Sequence, residues 1–304
     1  CGRKRGMKMT VLVTGAGGFV GQNVIRYLSD RGEGVIGLYR NSIPECHTGK
    51  FFSCDLSKDD IKGAIGDIKI DAVLHFAGQM KGTKAEEHLT NTIIGTKRVI
   101  EYAESQGIEQ FVYISSISVY GETLAAVDED SDRINLDDYG MAKYFCERML
   151  EDAGIKKRIV IRLPRTVGKG CDLSYPWLPK VTGRMLRGDD IYYTNPGLLY
   201  NNILYIDDLS KFLALLLNSG FSGYKRFVLG AKDRMKIIDI LYLLKRELSS
   251  PSNLIERKAA NRNKCFAINI HYAETYGFES RTVGEIIEKF VGDVKYLKGS
   301  ENIE

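Results

Sequence analysis

The feature that most constrains the fold is a short apolar run that leads directly into a glycine-rich turn. Residues Thr10–Thr14 are apolar or β-branched, and Gly15, Gly18 and Gly21 follow at intervals of three. Glycine at such a strand-to-helix turn permits a tight bend, close approach of the backbone to a pyrophosphate and close packing of helix on strand. The pattern is weak alone, but a helical segment and a second strand follow it here. The sequence therefore predicts a dinucleotide-binding βαβ unit.

Apolar runs typical of strands alternate with segments of helical spacing from residue 9 to about residue 165. The predicted strands are Thr10–Thr14, Val35–Tyr39, Ala72–Phe76, Phe111–Ser115 and Ile159–Leu163. The predicted helices include Asn23–Arg31, Thr92–Ser105 and Met141–Ala153. This alternation predicts a parallel sheet with helices on both faces, which is an α/β fold of the doubly wound Rossmann type.

The alternation breaks down after residue 165, which predicts a smaller, interleaved second lobe. Residues 203–230 are predicted to return to the main sheet, because Ile203–Leu217 has a strand–helix pattern and Phe227–Leu229 is a strand candidate. The predicted division is therefore 9–165 with 203–230, against 166–202 with 231–304. Elements predicted in the lobe are helices Lys180–Leu186, Ile237–Leu248 and Val283–Val291 and a strand at Cys265–Ile268. Residues 1–8 are basic without a following apolar region, and we predict a disordered lead-in.

Composition and charge exclude several classes of function. The net charge of +4, from 43 basic and 39 acidic residues, is too small to indicate nucleic acid as a partner. No apolar stretch approaches the roughly 18–20 residues needed to span a bilayer. The six cysteines contain no CxxC pair, and Cys46, His47 and Cys54 match no standard metal-site spacing. We therefore expect a cytoplasmic protein with reduced thiols, no bound metal and no nucleic-acid or membrane partner.

A second group of residues, Ser116, Tyr139 and Lys143, indicates acid/base chemistry. Tyr139 and Lys143 are four residues apart, which places them on one face of a helix. An ammonium group near a phenol stabilises the phenolate, so the tyrosine becomes usable as a general acid and base. Ser116 follows the strand Phe111–Ser115, at the sheet edge where such folds bind ligands, and its hydroxyl could bind a substrate oxygen.

Further short motifs follow the glycine turn in order along the chain. They are Thr14–Gly21, Cys54–Leu56, His75–Gly78, Asn91 with Gly95–Thr96, Ser115–Gly121, Tyr139–Lys143, Arg162–Pro164 with Gly168, Tyr205–Leu209 and Tyr276–Phe278. Between about residues 9 and 292 the chain thus resembles the extended short-chain dehydrogenase/reductases, also called the NAD-dependent epimerase/dehydratase family. The resemblance implies an oxidoreductase that acts on a nucleotide-activated sugar, with the second lobe binding the substrate. It also implies a homodimer through a helix pair that includes Tyr139–Ala153.

The resemblance implies roles for individual residues. Ser116, Tyr139 and Lys143 would form the catalytic triad, Asp55 would contact the adenine, and Asn91 would support the active-site helix. Residues implied in cofactor binding are Gly15, Gly17, Gly18, Phe19, Val20, Gly21, Tyr39, Arg40, Asn41, Asp55, Leu56, Phe76, Ala77, Gly78, Asn91, Ile114, Tyr139, Lys143 and Leu163. Residues implied in substrate binding are Gln79, Ser116, Ser118, Arg165 and Arg184.

Departures from the family pattern reduce the number of reactions that the resemblance allows. Ile117 and Ser118 stand where the family's dehydratases carry an Asp-Glu pair, so the acid and base for water elimination are absent. Ser118 also replaces the cysteine of the fucose-synthase type. What remains is hydride and proton transfer at one carbon, and we expect reduction of a 4-keto-deoxysugar. The alternatives are a C4 epimerase that retains NAD and, more remotely, a non-catalytic dinucleotide-binding sensor.

Two further positions bear on the ligands. Many family members bind the substrate diphosphate with an arginine in the segment that corresponds to Leu199–Tyr205, where this chain has Asn201 and Asn202 instead. The charge could come from Arg184, Arg187, Arg257 or Arg262, although a surface role is the simpler interpretation of each.

The second position concerns the cofactor. NAD-preferring members usually end the second strand with an acid, but here Tyr39 and Arg40 stand at that point. An arginine can pair with a 2′-phosphate, so we expect NADP(H), with NAD(H) as the alternative.

Overall fold

The computed structural model describes residues 8–45, 48–123, 126–258 and 267–301. The described residues form two compact units. The first comprises the chain up to 122, with 129–163 and 209–228, and the second comprises 123–128, 164–208 and 229 onward. The predicted lead-in at 1–8, apart from Lys8, lies outside the described residues, as do Cys46, His47 and Arg262. Within the described residues, no helix combines the length and apolar character needed to cross a membrane.

The first unit contains a seven-stranded sheet in which every neighbouring pair is parallel. Its strands are β1 (Thr10–Thr14), β2 (Gly34–Tyr39), β3 (Lys50–Ser53), β4 (Ala72–His75), β5 (Gln110–Ser116), β6 (Lys157–Leu163) and β11 (Gly223–Val228). They lie in the order β11-β6-β5-β4-β1-β2-β3. The chain therefore leaves β1 toward one edge of the sheet and later continues from β4 toward the other, which creates the switch point where such sheets bind ligands.

The segments that connect these strands are helical, as the helical spacing of their apolar residues predicts. They are α1 (Phe19–Asp30), α2 (Ile61–Ile65), α3 (Ala85–Glu87), α4 (Gly95–Ser105), α5 (Asp138–Asp152) and α7 (Ile206–Asn218, in this unit from Leu209 onward). A π-helix spans His88–Ile94 and a 3₁₀ turn spans Ile117–Tyr120. In α1 the residues Gly21, Val24, Ile25 and Leu28 are buried, which is one helical face. The doubly wound α/β prediction is confirmed.

The second unit is built from short elements. Its strands β7 (Arg165–Val167), β8 (Ile191–Tyr193), β9 (Leu199–Tyr200), β10 (Ile203–Tyr205), β12 (Met235–Lys236) and β13 (Leu254–Glu256) form three two-stranded sheets. Its helices are α6 (Leu178–Arg187), α8 (Ile237–Leu248), α9 (His271–Thr275) and α10 (Val283–Glu301).

Three sequence expectations need correction. The segment predicted as the helix Thr92–Ser105 begins as a π-helix at His88 and becomes α-helical only at Gly95. Helix α5 begins at Asp138, not Met141, because the Asp137 side chain accepts a hydrogen bond from the N–H of Gly140 at 2.8 Å. Strand β10 pairs with β7 and not with the main sheet, although β11 does join that sheet. An apolar run predicts burial of a strand but does not identify its partner.

The unit boundaries also differ from the predicted division. Residues 123–128 lie inside the predicted 9–165 domain, and residues 203–208 are predicted to return to it. Both segments group with the second unit instead. Cys265 lies outside the described residues, whereas Ile268 forms an isolated bridge with Val127.

Candidate active site

The glycine turn after β1, called here the cradle, packs too closely against neighbouring backbone to accommodate side chains. Gly15 has a φ of +69°, and a Cβ there would lie 2.8 Å from the backbone nitrogen of Ala77. A Cβ on Gly21 would lie 2.3 Å from the carbonyl oxygen of Gly15. Gly18 caps α1 without a side chain, so the first N–H groups of the helix remain available for an anion. The arrangement fits the pyrophosphate of a dinucleotide.

The loop after β4 lies beside this cradle at the switch point. The N–H of Phe76 donates to the carbonyl of Thr14 at 3.2 Å, and the N–H of Ala77 donates to the Thr14 hydroxyl at 3.2 Å. Gly78 lies close to α5, since a Cβ on it would lie 3.4 Å from Nζ of Lys143. The loop therefore joins the two predicted motifs.

His75, at the end of β4, is an uncharged histidine whose ring hydrogen-bonds two neighbouring segments. Burial and the nearby Lys143 charge lower the pKa of its imidazole to about 3. Its Nδ1 lies 2.6 Å from the Thr14 hydroxyl and its Nε2 lies 2.9 Å from the Thr96 hydroxyl. Because the ring is neutral, one of its nitrogens donates to its threonine hydroxyl and the other accepts from its threonine hydroxyl. His75 thus anchors the glycine turn to the segment that begins α4.

Lys143 is held at the end of β5. Its side chain is buried at 5% exposure, and Nζ donates to the carbonyl of Ile114 at 2.9 Å. The same ammonium lies 4.9 Å from the ring centre of Tyr113 and 5.9 Å from that of Tyr139. The ammonium thus lies within the range of cation–π contact with two phenol rings.

Ser116 and Tyr139 are placed by two adjoining turns. Ser116 ends β5, and its hydroxyl oxygen accepts a hydrogen bond from the N–H of Ser118 at 3.1 Å. Tyr139 lies in the first turn of α5. The next residue, Gly140, approaches so closely that a Cβ would lie 2.4 Å from the carbonyl oxygen of Ser118. The first turn of α5 therefore packs on the Ser116–Ser118 turn, and the structure brings the three predicted catalytic residues into one region.

A buried ion pair fixes α5 against the sheet. Glu147 and Arg162 are both fully buried, with Nη2 of Arg162 2.7 Å from Oε2 of Glu147. The Ser115 hydroxyl donates to the other carboxylate oxygen at 2.6 Å, and Nη1 of Arg162 donates to the Tyr120 hydroxyl at 3.0 Å. Since Glu147 is one turn beyond Lys143, this network sets the position of α5 relative to β5.

The residues after β2 form a polar group at the same sheet edge. Nη1 of Arg40 donates to Oδ1 of Asn91 at 2.8 Å, and Nδ2 of Asn91 donates to Oε1 of Gln79 at 3.3 Å. The Ser57 hydroxyl, with smaller contributions from its N–H, Lys58 and Arg40, holds the pKa of Asp55 below its ordinary value. Arg40 is thus a cation at the end of β2, where the cofactor ribose is expected.

In the second unit, several residues considered as substrate ligands make hydrogen bonds or ring contacts with other residues of the same unit. Asn201 is buried, and its amide hydrogen-bonds the backbone of Ala231 and Ile268. Nη2 of Arg184 donates to the carbonyl of Asp190, and Arg257 stacks on the ring of Tyr192 at 3.6 Å. The substrate contacts implied for Arg165 and Arg184 stay predictions.

Sequence reasoning missed two residues of this region. Thr92 accepts a hydrogen bond from the N–H of Gln79 at 2.9 Å, and its carbonyl oxygen lies 3.7 Å from Sγ of Cys146 on α5. His88 is buried with its ring centre 5.7 Å from that of Tyr139. Both lie in the π-helix, which disrupts the helical period and leaves no pattern to detect.

Comparison with known proteins defines the class. The model of the NAD dependent epimerase/dehydratase family matches residues 11–230, and the chain belongs to this family. The family predicted from the motifs is therefore confirmed.

Individual relatives cover most of the chain. A UDP-glucose 4-epimerase of Erwinia amylovora is 29% identical over 275 residues, covering 77% of this chain and 81% of that protein. A dTDP-D-glucose 4,6-dehydratase of Mus musculus is 25% identical, covering 80% and 74%. The crystal structure of a UDP-glucose 4-epimerase from Thermotoga maritima with UDP-glucose superposes with a TM-score of 0.83 at 21% identity, covering 95% of this chain and 100% of that chain. This last likeness shows the shared fold.

Proposed function

We propose that the chain is a C4 epimerase of a nucleotide-activated sugar that keeps NAD bound between turnovers. The observation that carries the proposal is the placement of Tyr139 beside the Ser116 turn, with Lys143 fixed at the end of β5. Relatives named as UDP-glucose 4-epimerases support epimerisation over the reduction that the sequence favoured. The absence of the Asp-Glu pair at Ile117 and Ser118 separates the chain from its dehydratase relatives.

The site residues fit a dinucleotide, because no side-chain cap competes with a pyrophosphate for the first N–H groups of α1. When bound, NAD supplies the acceptor and donor of a hydride. Tyr139 would take the proton of the C4 hydroxyl when C4 is oxidised, and it would return the proton when C4 is reduced from the other face of the sugar. Ser116 donates a hydrogen bond to the C4 oxygen, and the charge of Lys143 stabilises the phenolate of Tyr139.

The proposal is tested by incubating the purified protein with UDP-galactose without added cofactor. Formation of UDP-glucose, with NAD released on denaturation and identified by mass spectrometry, supports a retained-cofactor epimerase. Tyr139→Phe is the control, because it keeps the ring and removes the proton carrier. Turnover only when NADPH is added and consumed would instead favour a reductase.

A second candidate is the reduction of a 4-keto sugar with NADPH. Arg40 favours it, since its guanidinium lies at the end of β2 in place of the acid typical of NAD-preferring members. NADP preference is the finer part of this proposal, and the Arg40→Ala experiment described below tests it.

We also propose that the protein forms a homodimer through α5. Met141 and Phe145 lie one turn apart on that helix and are 49% and 53% exposed. Apolar side chains of this size are unusual on a solvated helix face and are typical of an interface. Sedimentation of wild type and of Phe145→Asp tests this, with conversion of a dimer to a monomer as the expected result.

A further inference from the structure

A network of side-chain hydrogen bonds ends at Arg40, the cation proposed to contact the cofactor. Nη1 of Arg40 donates to Oδ1 of Asn91 at 2.8 Å, and Nδ2 of Asn91 donates to Oε1 of Gln79 at 3.3 Å. Nε2 of Gln79 in turn donates to Oε2 of Glu87 at 2.8 Å. Two amides therefore link Arg40 to Glu87, and we call these four side chains the Glu87–Arg40 network.

The two ends of the network determine its direction. A carboxylate only accepts hydrogen bonds, and a guanidinium only donates them. Gln79 therefore turns its NH₂ group to Glu87 and its carbonyl oxygen to Asn91. Asn91 in the same way turns its carbonyl oxygen to Arg40. Glu87 thus determines, through two amides, that a hydrogen-bond acceptor faces the guanidinium.

The backbone holds the middle of the network in place. The N–H of Gln79 donates to the Thr92 hydroxyl at 2.9 Å, which fixes the loop after β4 against the π-helix. Glu87 comes directly before this π-helix and Asn91 lies within it, so both side chains reach the same glutamine. Because π-helices are rare and occur frequently at functional sites, a functional role is expected for the side chains that this one brings together.

Arg40 remains available to an anion. Its side chain is exposed, and among the residues that the structure describes its charge acts on Asp55 without forming an ion pair. The loop that follows Arg40 packs on the cradle, because a Cβ on Gly17 would collide with the carbonyl oxygen of Ser42. The bond to Asn91 uses one of the five N–H groups of the guanidinium. The other four can bind a phosphate group beside the cradle.

We propose that Glu87 is a positioning residue for cofactor selection, which acts through Gln79 and Asn91 to hold the guanidinium of Arg40 for the 2′-phosphate of NADP. This inference rests on the phosphate contact proposed for Arg40. A guanidinium that is already held in place loses less conformational entropy on binding, so its contact with the phosphate is stronger. NAD has a hydroxyl group in place of this phosphate, so the network should strengthen the binding of NADP and have little effect on NAD.

The selectivity between the two cofactors tests the proposal without any turnover. Each protein is equilibrated with an equimolar excess of NAD and NADP, and both bound dinucleotides are quantified by mass spectrometry after denaturation. We expect Glu87→Ala to lower the bound ratio of NADP to NAD by about three- to tenfold, which is the effect of one lost hydrogen bond. Glu87→Gln keeps an acceptor for Gln79 and should keep the wild-type ratio.

The same measurement separates positioning from charge. Glu86→Ala is the matched control, since it removes an equal charge from the adjacent, exposed position outside the network and should keep the wild-type ratio. If Glu87 acted only by its charge, Glu87→Ala and Glu87→Gln would both raise the ratio, because each removes repulsion of the phosphate. That result, or an unchanged ratio in Glu87→Ala, would overturn the proposal.

A double-mutant cycle tests whether Asn91 transmits the effect. Asn91→Leu removes both hydrogen bonds of this side chain, so adding Glu87→Ala should cause no further change in the ratio. Additive effects of the two substitutions would show that Glu87 acts by another route, which contradicts the proposal.

Arg40→Ala distinguishes failure of the network from failure of the phosphate contact. If Arg40→Ala leaves the ratio unchanged, Arg40 does not bind the phosphate and the role of Glu87 falls with it. If Arg40→Ala lowers the ratio and Glu87→Ala does not, only the role of Glu87 is wrong. The epimerase proposal is judged separately by turnover of UDP-galactose, because the bound ratio is measured without substrate.

Discussion

In the first unit Ser116 lies at the carboxyl end of a long parallel strand, with its hydroxyl at the candidate site, whereas in the second unit Asn201 lies between two short strands and completes backbone hydrogen bonds. Ser116 ends a seven-residue strand whose backbone is paired on both sides. Asn201 in the second unit instead hydrogen-bonds the backbone of Ala231 and Ile268. A long ladder satisfies its own backbone groups, so its terminal side chains are free for chemistry. Short strands need side chains to complete their hydrogen bonding.

The largest effect is expected when the proposed acid/base group of the first unit is removed and the second unit is left unchanged. Tyr139→Phe keeps the ring and loses the hydroxyl, and we expect kcat to fall by about 10²–10⁴-fold. NAD binding should be nearly unchanged, as measured by fluorescence titration. Lys143→Met should weaken both turnover and NAD binding, since its ammonium is expected to serve both. Activity of Tyr139→Phe within a few-fold of wild type would place the acid/base group elsewhere.

The next prediction compares one buried ion pair in each unit. Glu147→Gln leaves the fully buried Arg162 without its counter-charge, and we expect a loss of about 3–5 kcal/mol in the free energy of unfolding. In the second unit, Asp208 is buried but the Arg281 side chain that it pairs with is 25% exposed. Water can therefore solvate Arg281 in Asp208→Asn, and the loss should be about 1–2 kcal/mol.

Chemical denaturation followed by circular dichroism measures both losses. Equal destabilisation by the two substitutions would show that burial of the arginine does not set the cost. Glu147→Gln should also lower kcat more than Asp208→Asn, because the Glu147 carboxylate ties α5 to Ser115 beside the proposed catalytic serine.

A smaller effect is expected at the cofactor. If Arg40 binds a 2′-phosphate, Arg40→Ala removes a charge-assisted contact of about 1.5–3 kcal/mol. The kcat/KM for NADPH should then fall roughly ten- to a hundred-fold, while that for NADH stays almost the same. Preference of wild type for NADH, or equal harm to both cofactors, would exclude the phosphate contact and strengthen the epimerase proposal.

The smallest effect is expected in the second unit. Arg184 lies in the last turn of α6 and donates to the carbonyl of Asp190. We therefore expect Arg184→Ala to change KM for UDP-galactose by less than about threefold, because surface substitutions have small effects. Lys180→Ala, on the same helix, is the matched control. A tenfold rise in KM for Arg184→Ala alone would show that this arginine does bind the substrate, as the family resemblance implies.

Local features of the sequence were sufficient for the parallel sheet and the glycine turn. A run such as Val73–Leu74 predicts a strand buried on both faces because each residue is apolar, without reference to distant parts of the chain. The spacing of Tyr139 and Lys143 likewise places them on one helical face by the geometry of a single element.

Only the tertiary structure decided which distant groups meet. Glu147 and Arg162 are 15 residues apart and Asn201 and Ile268 are 67 apart, and no period in the sequence links them. The π-helix places His88 beside Tyr139 by a local change of hydrogen bonding that apolar spacing does not encode. Periodicity specifies how a segment folds on itself, whereas the partner of a buried polar group is selected by the packing of the whole unit.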